Sequence, residues 1–179
     1  RVGVSSPVGG AMFFGSATRF VITNVTVTSN SVNGSGGQGQ GGGLFAFGPG
    51  GSAGISTISN SSFVTNSAPS DGGGIYTTQP STFTTPSTFD GHTSGRFGGG
   101  LYHSIVGTTA ISEAIFINNS AATQGGGIYN NVGTLNVNFS RFTGNTGGGF
   151  TGLAVIGGAV NAENNWWGCN TGRAAAPCN

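Results

Sequence analysis

The sequence predicts an all-β fold, a single parallel β-helix (solenoid) of about six coils with no helices. Three observations predict it. First, Gly-Gly-Gly-(Leu/Ile)-(Phe/Tyr) recurs at 41–45, 72–76, 98–102 and 125–129, with weaker copies at 9–13 and 157–160. Second, the markers that follow the glycines (Met12, Leu44, Ile75, Leu101, Ile128 and Val160) are separated by 32, 31, 26, 27 and 32 residues, the period of a stacked repeat array. Third, a landmark of the form Phe-x-x-Asn follows the marker by 14 to 19 residues: Phe63 to Asn66, Phe116 to Asn119 and Phe142 to Asn145, with Val27 to Asn30 and Phe89 to His92 as degenerate copies.

Between these landmarks lie short runs, 20–28, 54–59, 108–117 and 134–142, in which Val, Ile and Thr alternate with small polar residues. Such runs are strands, too short and wrongly spaced for amphipathic helices. One unit of this length cannot bury an apolar face by itself, whereas stacking on a copy of itself can. Stacking in parallel register turns a repeated residue into a ladder. Leu44, Ile75, Leu101 and Ile128 are expected to form an interior aliphatic ladder and Phe63, Phe89, Phe116 and Phe142 an aromatic one. Asn66, Asn119 and Asn145 are expected at turns, each bonding the turn backbone and the next coil. Glycine suits corners and close backbone approach, and no lysine follows any triplet to suggest a phosphate loop. Segments 33–40, 47–51, 77–86 and 146–153 read as insertions that project from the column. Val160 is read as the marker of the last, weaker copy.

All 179 residues fit one domain: 1–8 as an N-terminal segment or cap, 9–168 as coils and 169–179 as a C-terminal loop. Cys169 and Cys178 lie close together in that loop, and a disulfide between them, favoured over two unrelated thiols, implies an extracellular compartment. Only 5% of residues are charged and the net charge is +1, which excludes the basic footprint of a nucleic-acid binder. Thirteen Phe, three Tyr and two Trp argue against disorder. No apolar run is long enough to span a membrane as a helix, and the chain reads as a mature or excised piece.

The alternating GGGIY-like and FxxN-like motifs resemble the repeats of right-handed parallel β-helix proteins of the bacterial polymorphic outer-membrane protein and adhesin-like autotransporter passenger type. The resemblance covers residues 9–168, and Asn164-Asn165-Trp166-Trp167-Gly168 is similar to the NNWWG segment that ends the array in many large secreted bacterial surface proteins. It implies a right-handed column at the cell surface with structural or adhesive duty. A barrel segment of the autotransporter kind is not seen in the sequence.

Parallel β-helices also carry polysaccharide lyases and hydrolases, which need several suitably spaced acids. Asp71, Asp90, Glu113 and Glu163 are the whole supply, so no enzymatic activity, cofactor or metal is expected. Asp90, His92 and Arg96 form the best polar constellation available, and His103 reads as a surface residue. Phe13, Phe45, Tyr76, Tyr102 and Tyr129 follow the inward marker, and strand alternation points them outward as an aromatic stripe able to stack sugar rings. Two functions are therefore expected in order, with a polysaccharide lyase or hydrolase a remote third: a building block that self-assembles head to tail into a surface fibre or layer, with copies of itself as partner, then an adhesin fragment binding glycan or a cell-surface protein through that stripe.

Overall fold

The computed structural model describes residues 9–15, 19–34, 38–48 and 55–168. Among them every strand pair is parallel, and the strands form sheets of ten, six and four members. The ten-stranded sheet holds two columns of rungs. One runs through Met12–Phe14, Leu44–Ala46, Ile75–Thr77, the first part of Leu101–Ser112, the first part of Ile128–Asn138 and Leu153–Val155. The other runs through Val21–Thr23, Ser56–Ser59, Ser81–Thr84, the later parts of the same two long strands and Ala159–Asn161. The six-stranded sheet stacks Thr26–Thr28, Ser62–Val64, Thr88–Asp90, Ile115–Ile117, Arg141–Thr143 and Trp166–Trp167. The smallest stacks Ser67–Ala68, Thr93–Ser94, Ser120–Ala121 and Thr146–Gly147. The chain is thus an all-β parallel solenoid. Against the expected six coils, the four-stranded sheet closes about four turns on every face, and partial turns flank them.

Register explains the core. Leu44, Ile75, Leu101 and Ile128 are Cα partners in sequence, and all are fully buried. Val27, Phe63, Phe89, Phe116, Phe142 and Trp167 form a second column. Neighbouring rings in it stack at 5.5, 4.6, 5.1 and 4.5 Å with interplanar angles of 15° or less. Burial of each phenylalanine contributes about 1.5–3 kcal/mol, and each stacked pair adds about 0.5–1.5 kcal/mol. The two columns meet across a narrow interior that leaves no room for bulk at the corners.

Each corner is a stack of left-handed residues. One comprises Gly9, Gly41, Gly72, Gly98 and Gly125; a second Ser29, Thr65, Gly91, Asn118 and Gly144; a third Asn24, Asn60, Thr85, Glu113, Phe139 and Asn164. Only the first is pure glycine, because a Cβ there would run into the carbonyl of the marker three residues on in the same coil, as at Gly72 against Ile75; the neighbouring coil presses on the glycines that follow. A Cβ on Gly73, next to Gly72, would lie 2.5 Å from the Thr93 carbonyl oxygen and 2.7 Å from that of Gly99. The triplet therefore combines one positive-φ position with close approach at the residues after it.

Three expectations need correction. Val160 pairs with Leu135, and the partner of Ile128 is Leu153, so the last marker lies seven residues earlier than the glycine pair suggested. Segment 146–153 is no projecting insertion, since Thr146–Gly147 and Leu153–Val155 are rungs of two sheets. Within 77–86, Ser81–Thr84 is likewise a rung, buried on one side through Phe83. Thr146–Gly147 and Ser81–Thr84 carry no Val or Ile, and register with their neighbours supplies what local preference does not. The 1–8 segment and the expected Cys169–Cys178 disulfide lie outside the described residues, as do parts of 33–40 and 47–51.

Candidate functional site

The residue after each marker points away from the aliphatic core, as strand alternation requires. Phe13, Phe45, Tyr76, Tyr102 and Tyr129 form a column with ring-centroid separations of 5.6, 4.9, 4.7 and 5.3 Å, all nearly parallel. Here the expectation of exposed ring faces fails. Each ring covers the face of the next, Phe97 stacks on Tyr129 at 4.5 Å, and Phe45 and Tyr129 are buried. Tyr76 and Tyr102 are half-buried, and Phe13, 55% exposed, is the most open ring of the stripe. Burial pushes the Tyr102 hydroxyl up to about 12, with Tyr76 and Asp71 adding to the effect. Burial also raises Tyr76, and Asp71 contributes.

Beside this stripe sits an ion pair that the sequence did not announce. Asp71 directly precedes a glycine triplet, in the position that Gln40, Phe97 and Gln124 take in other coils. Arg96, from the next coil, holds it in a fork: Nε donates to Oδ1 at 3.2 Å and Nη2 to Oδ2 at 2.6 Å. The guanidinium also lies 5.5 Å from the centre of the Phe97 ring. The available signal was that Asp71 is the one carboxylate immediately before a triplet.

Asp90, His92 and Arg96 do not converge. Asp90 accepts a hydrogen bond from Asn118 Nδ2 at 3.3 Å on the outside, Arg96 belongs to Asp71, and His92 is wholly inside the column. His92 continues the asparagine ladder. Asn30 donates its backbone amide to Asn66, Asn66 to His92 Nδ1, His92 to Asn119, and Asn119 to Asn145, at 2.9–3.1 Å. The amide nitrogens of Asn66, Asn119 and Asn145 meanwhile donate to the carbonyls of Val27, Phe89 and Phe116. Because His92 Nδ1 accepts, its proton is on Nε2, and burial lowers its pKa to about 4.

His103 is also interior rather than a surface residue. It follows Tyr102, but strand alternation puts it on the same side as Leu101. Its Nδ1 meets Asn130 Oδ1 at 2.5 Å, so Nδ1 carries the proton, and Nε2 meets the Thr109 hydroxyl at 2.9 Å. Burial lowers its pKa. Ser56, Thr77, Gln79 and Ser81 extend this buried polar network to neighbouring coils. It is structural glue where the ten-stranded sheet bends.

Among the described residues no group of His, Cys, Asp and Glu is arranged to hold a metal ion. A hollow of about 440 Å³ lies at the last rung, lined by residues that include Phe150, Leu153, Val155 and Trp167.

Two stretches, 60–78 and 113–131, match the Chlamydia polymorphic membrane protein repeat. Each match starts at a left-handed corner, crosses the buried Phe and ladder Asn, follows the smallest sheet and ends in, or one residue past, the strand after the glycine triplet. The repeat and the parallel solenoid together fit a β-helix of the polymorphic outer-membrane or autotransporter type. No curated protein and no solved structure matches the chain.

Proposed function

We propose that the chain is a non-catalytic, surface-displayed β-helical column that adheres to glycan or to a cell-surface protein along its aromatic stripe. The matched repeat is that of a membrane protein, which supports a place at the bacterial surface. The observation that carries the adhesive part is the half-buried pair Tyr76 and Tyr102, stacked at 4.7 Å within the aromatic column that runs past the Asp71–Arg96 fork. Rigid aromatic edges bearing hydroxyl groups present hydrogen-bonding groups and apolar area in fixed positions at little entropic cost. Retention of the purified chain on a glycan panel and on intact host cells tests the reading. A Tyr76→Ser/Tyr102→Ser variant is expected to lose retention while keeping its parallel β-helical circular dichroism; equal retention by both proteins sinks the idea.

Head-to-tail assembly is the second reading, supported by the hollow beside Trp167 at one end of the column and by the exposed Phe13 at the other. Parallel rungs have the same backbone pattern at either end, so the edge of one copy can pair with the opposite edge of another. Electron microscopy across a concentration series distinguishes this outcome, since particles that stay single at high concentration rule it out.

A further inference from the structure

The Asp71–Arg96 corner has an asymmetry that its ion pair alone does not use. Asp71 is 2% exposed at its side chain and Arg96 48%, so the pair turns its guanidinium, not its carboxylate, to solvent. Asp71 occupies Nε and one Nη2 hydrogen. Nη1 and the second Nη2 hydrogen have no protein partner among the described residues, and the fork fixes them in one plane pointing away from Asp71. Phe97 lies against the same guanidinium, and Tyr76 and Tyr102 stand close enough to feel both charges.

The other described arginines are placed differently. Arg19 donates to the Ile55 carbonyl, and Arg141 lies over the Trp166 ring at 4.5 Å. Arg96 is thus the guanidinium that a ligand lying along the stripe would meet.

We infer that this corner receives the carboxylate of an acidic sugar, a uronic acid within a glycan. A planar carboxylate matches the free edge of a guanidinium through paired N–H donors. The adjoining tyrosine hydroxyls and ring edges then meet the sugar's hydroxyls and its C–H face. Asp71 holds the fork still, so little side-chain entropy is lost on binding. A neutral sugar leaves the free edge unused, and a polyphosphate needs several cations where this surface offers one. The inference rests on the adhesive reading above and names the chemistry of its ligand.

Full-length chain tested against immobilised oligogalacturonate and its methyl ester decides the matter. The acid is expected to be retained about tenfold more tightly than the ester, the scale of one charge-assisted bidentate contact. Arg96→Gln and Arg96→Lys are expected to erase that preference, the second despite keeping the charge, whereas Arg19→Gln keeps it. Thermal unfolding of each variant separates loss of the site from loss of the fold. Equal retention of acid and ester overturns the inference and leaves the adhesive reading standing, as does an Arg96→Gln protein that folds and still prefers the acid. Retention of neither probe by a chain that binds host cells overturns the inference alone; failure on cells and on every glycan overturns both.

Discussion

His92 accepts the backbone amide of Asn66 through Nδ1 at 3.0 Å, doing with an imidazole what Asn66, Asn119 and Asn145 do with a side-chain carbonyl in neighbouring coils. The substitution is imperfect. The ladder asparagines each donate an N–H to the carbonyl of the preceding coil, but His92 Nε2 is buried without a hydrogen-bond partner among the described residues.

Replacing it therefore improves the ladder. His92→Asn is expected to stabilise the column by about 1 kcal/mol, the scale of a buried donor gaining its partner. The pattern assigns the Phe63 carbonyl as that partner. Chemical denaturation at neutral pH measures the gain, and a loss of stability would show that the ring volume matters more than the missing bond.

The same residue makes the fold acid-sensitive. Its folded-state pKa, about 4, lies below the ordinary histidine value of 6.5, so the unfolded chain binds the extra proton more readily. Stability is whole above the unfolded value and falls as pH drops from there toward the folded one. The loss approaches about 3 kcal/mol at pH near 4. Unfolding midpoints measured between pH 7 and pH 4 should decline in the wild type and decline less in His92→Asn. His103, whose lowered pKa acts with the same sign, contributes to what persists in that variant.

Phe116 stacks between Phe89 and Phe142 at 4.6 and 5.1 Å and is fully buried. Phe116→Ala removes both contacts and leaves a hole in a narrow interior. A destabilisation of about 3–5 kcal/mol is expected. Outward Ile117, one residue on in the same strand, should cost far less when changed to Thr, as Thr143 already occupies the equivalent place in the next coil. Paired urea titrations compare them.

Two corner glycines should behave oppositely. Gly73→Ala drives a methyl group into the Thr93 and Gly99 carbonyls, which are backbone and cannot step aside, so the variant is expected to lose soluble expression. Gly91→Asn asks for a left-handed asparagine, the state Asn118 adopts one coil on at φ 56°, and for a small shift of the Thr65 side chain, whose Cγ2 would lie 3.2 Å from the new Cβ. It should cost less than about 1 kcal/mol. Thermal melts and yields check both.

Much of the architecture was legible because the repeat writes it several times over. Leu44 and Phe63 mark their ladders in a single coil, and Leu101 and Phe116 mark them again. Val160 misled because Gly157 and Gly158 imitate the triplet, while the true rung at Leu153 has only Gly152 before it; the stack of neighbours, not the local glycines, selects the register. The aromatic stripe was legible in position but not in exposure, since sequence gives a side chain's direction and not which ring face its neighbours cover. Asp71 and Arg96 are 25 residues apart and meet because they belong to successive coils. Their pairing follows only once the offset between coils is known, and that offset varies from coil to coil. His103 was misjudged because it follows an outward tyrosine, and alternation then places it inward whatever its polarity.

The backbone hydrogen bonds of this column run from coil to coil, parallel to its long axis, whereas the covalent chain runs around it. A pull applied between the two ends therefore loads the weak links in line and the strong ones hardly at all. Such a column is expected to yield from one end as a thread leaves a spool, one coil at a time. The coil from Ile75 to Leu101 holds 26 residues, and its release would lengthen the molecule by about 80–90 Å. Under tension it would act as a stepwise extensible tether, absorbing work that a rigid attachment would pass on to whatever its surface holds.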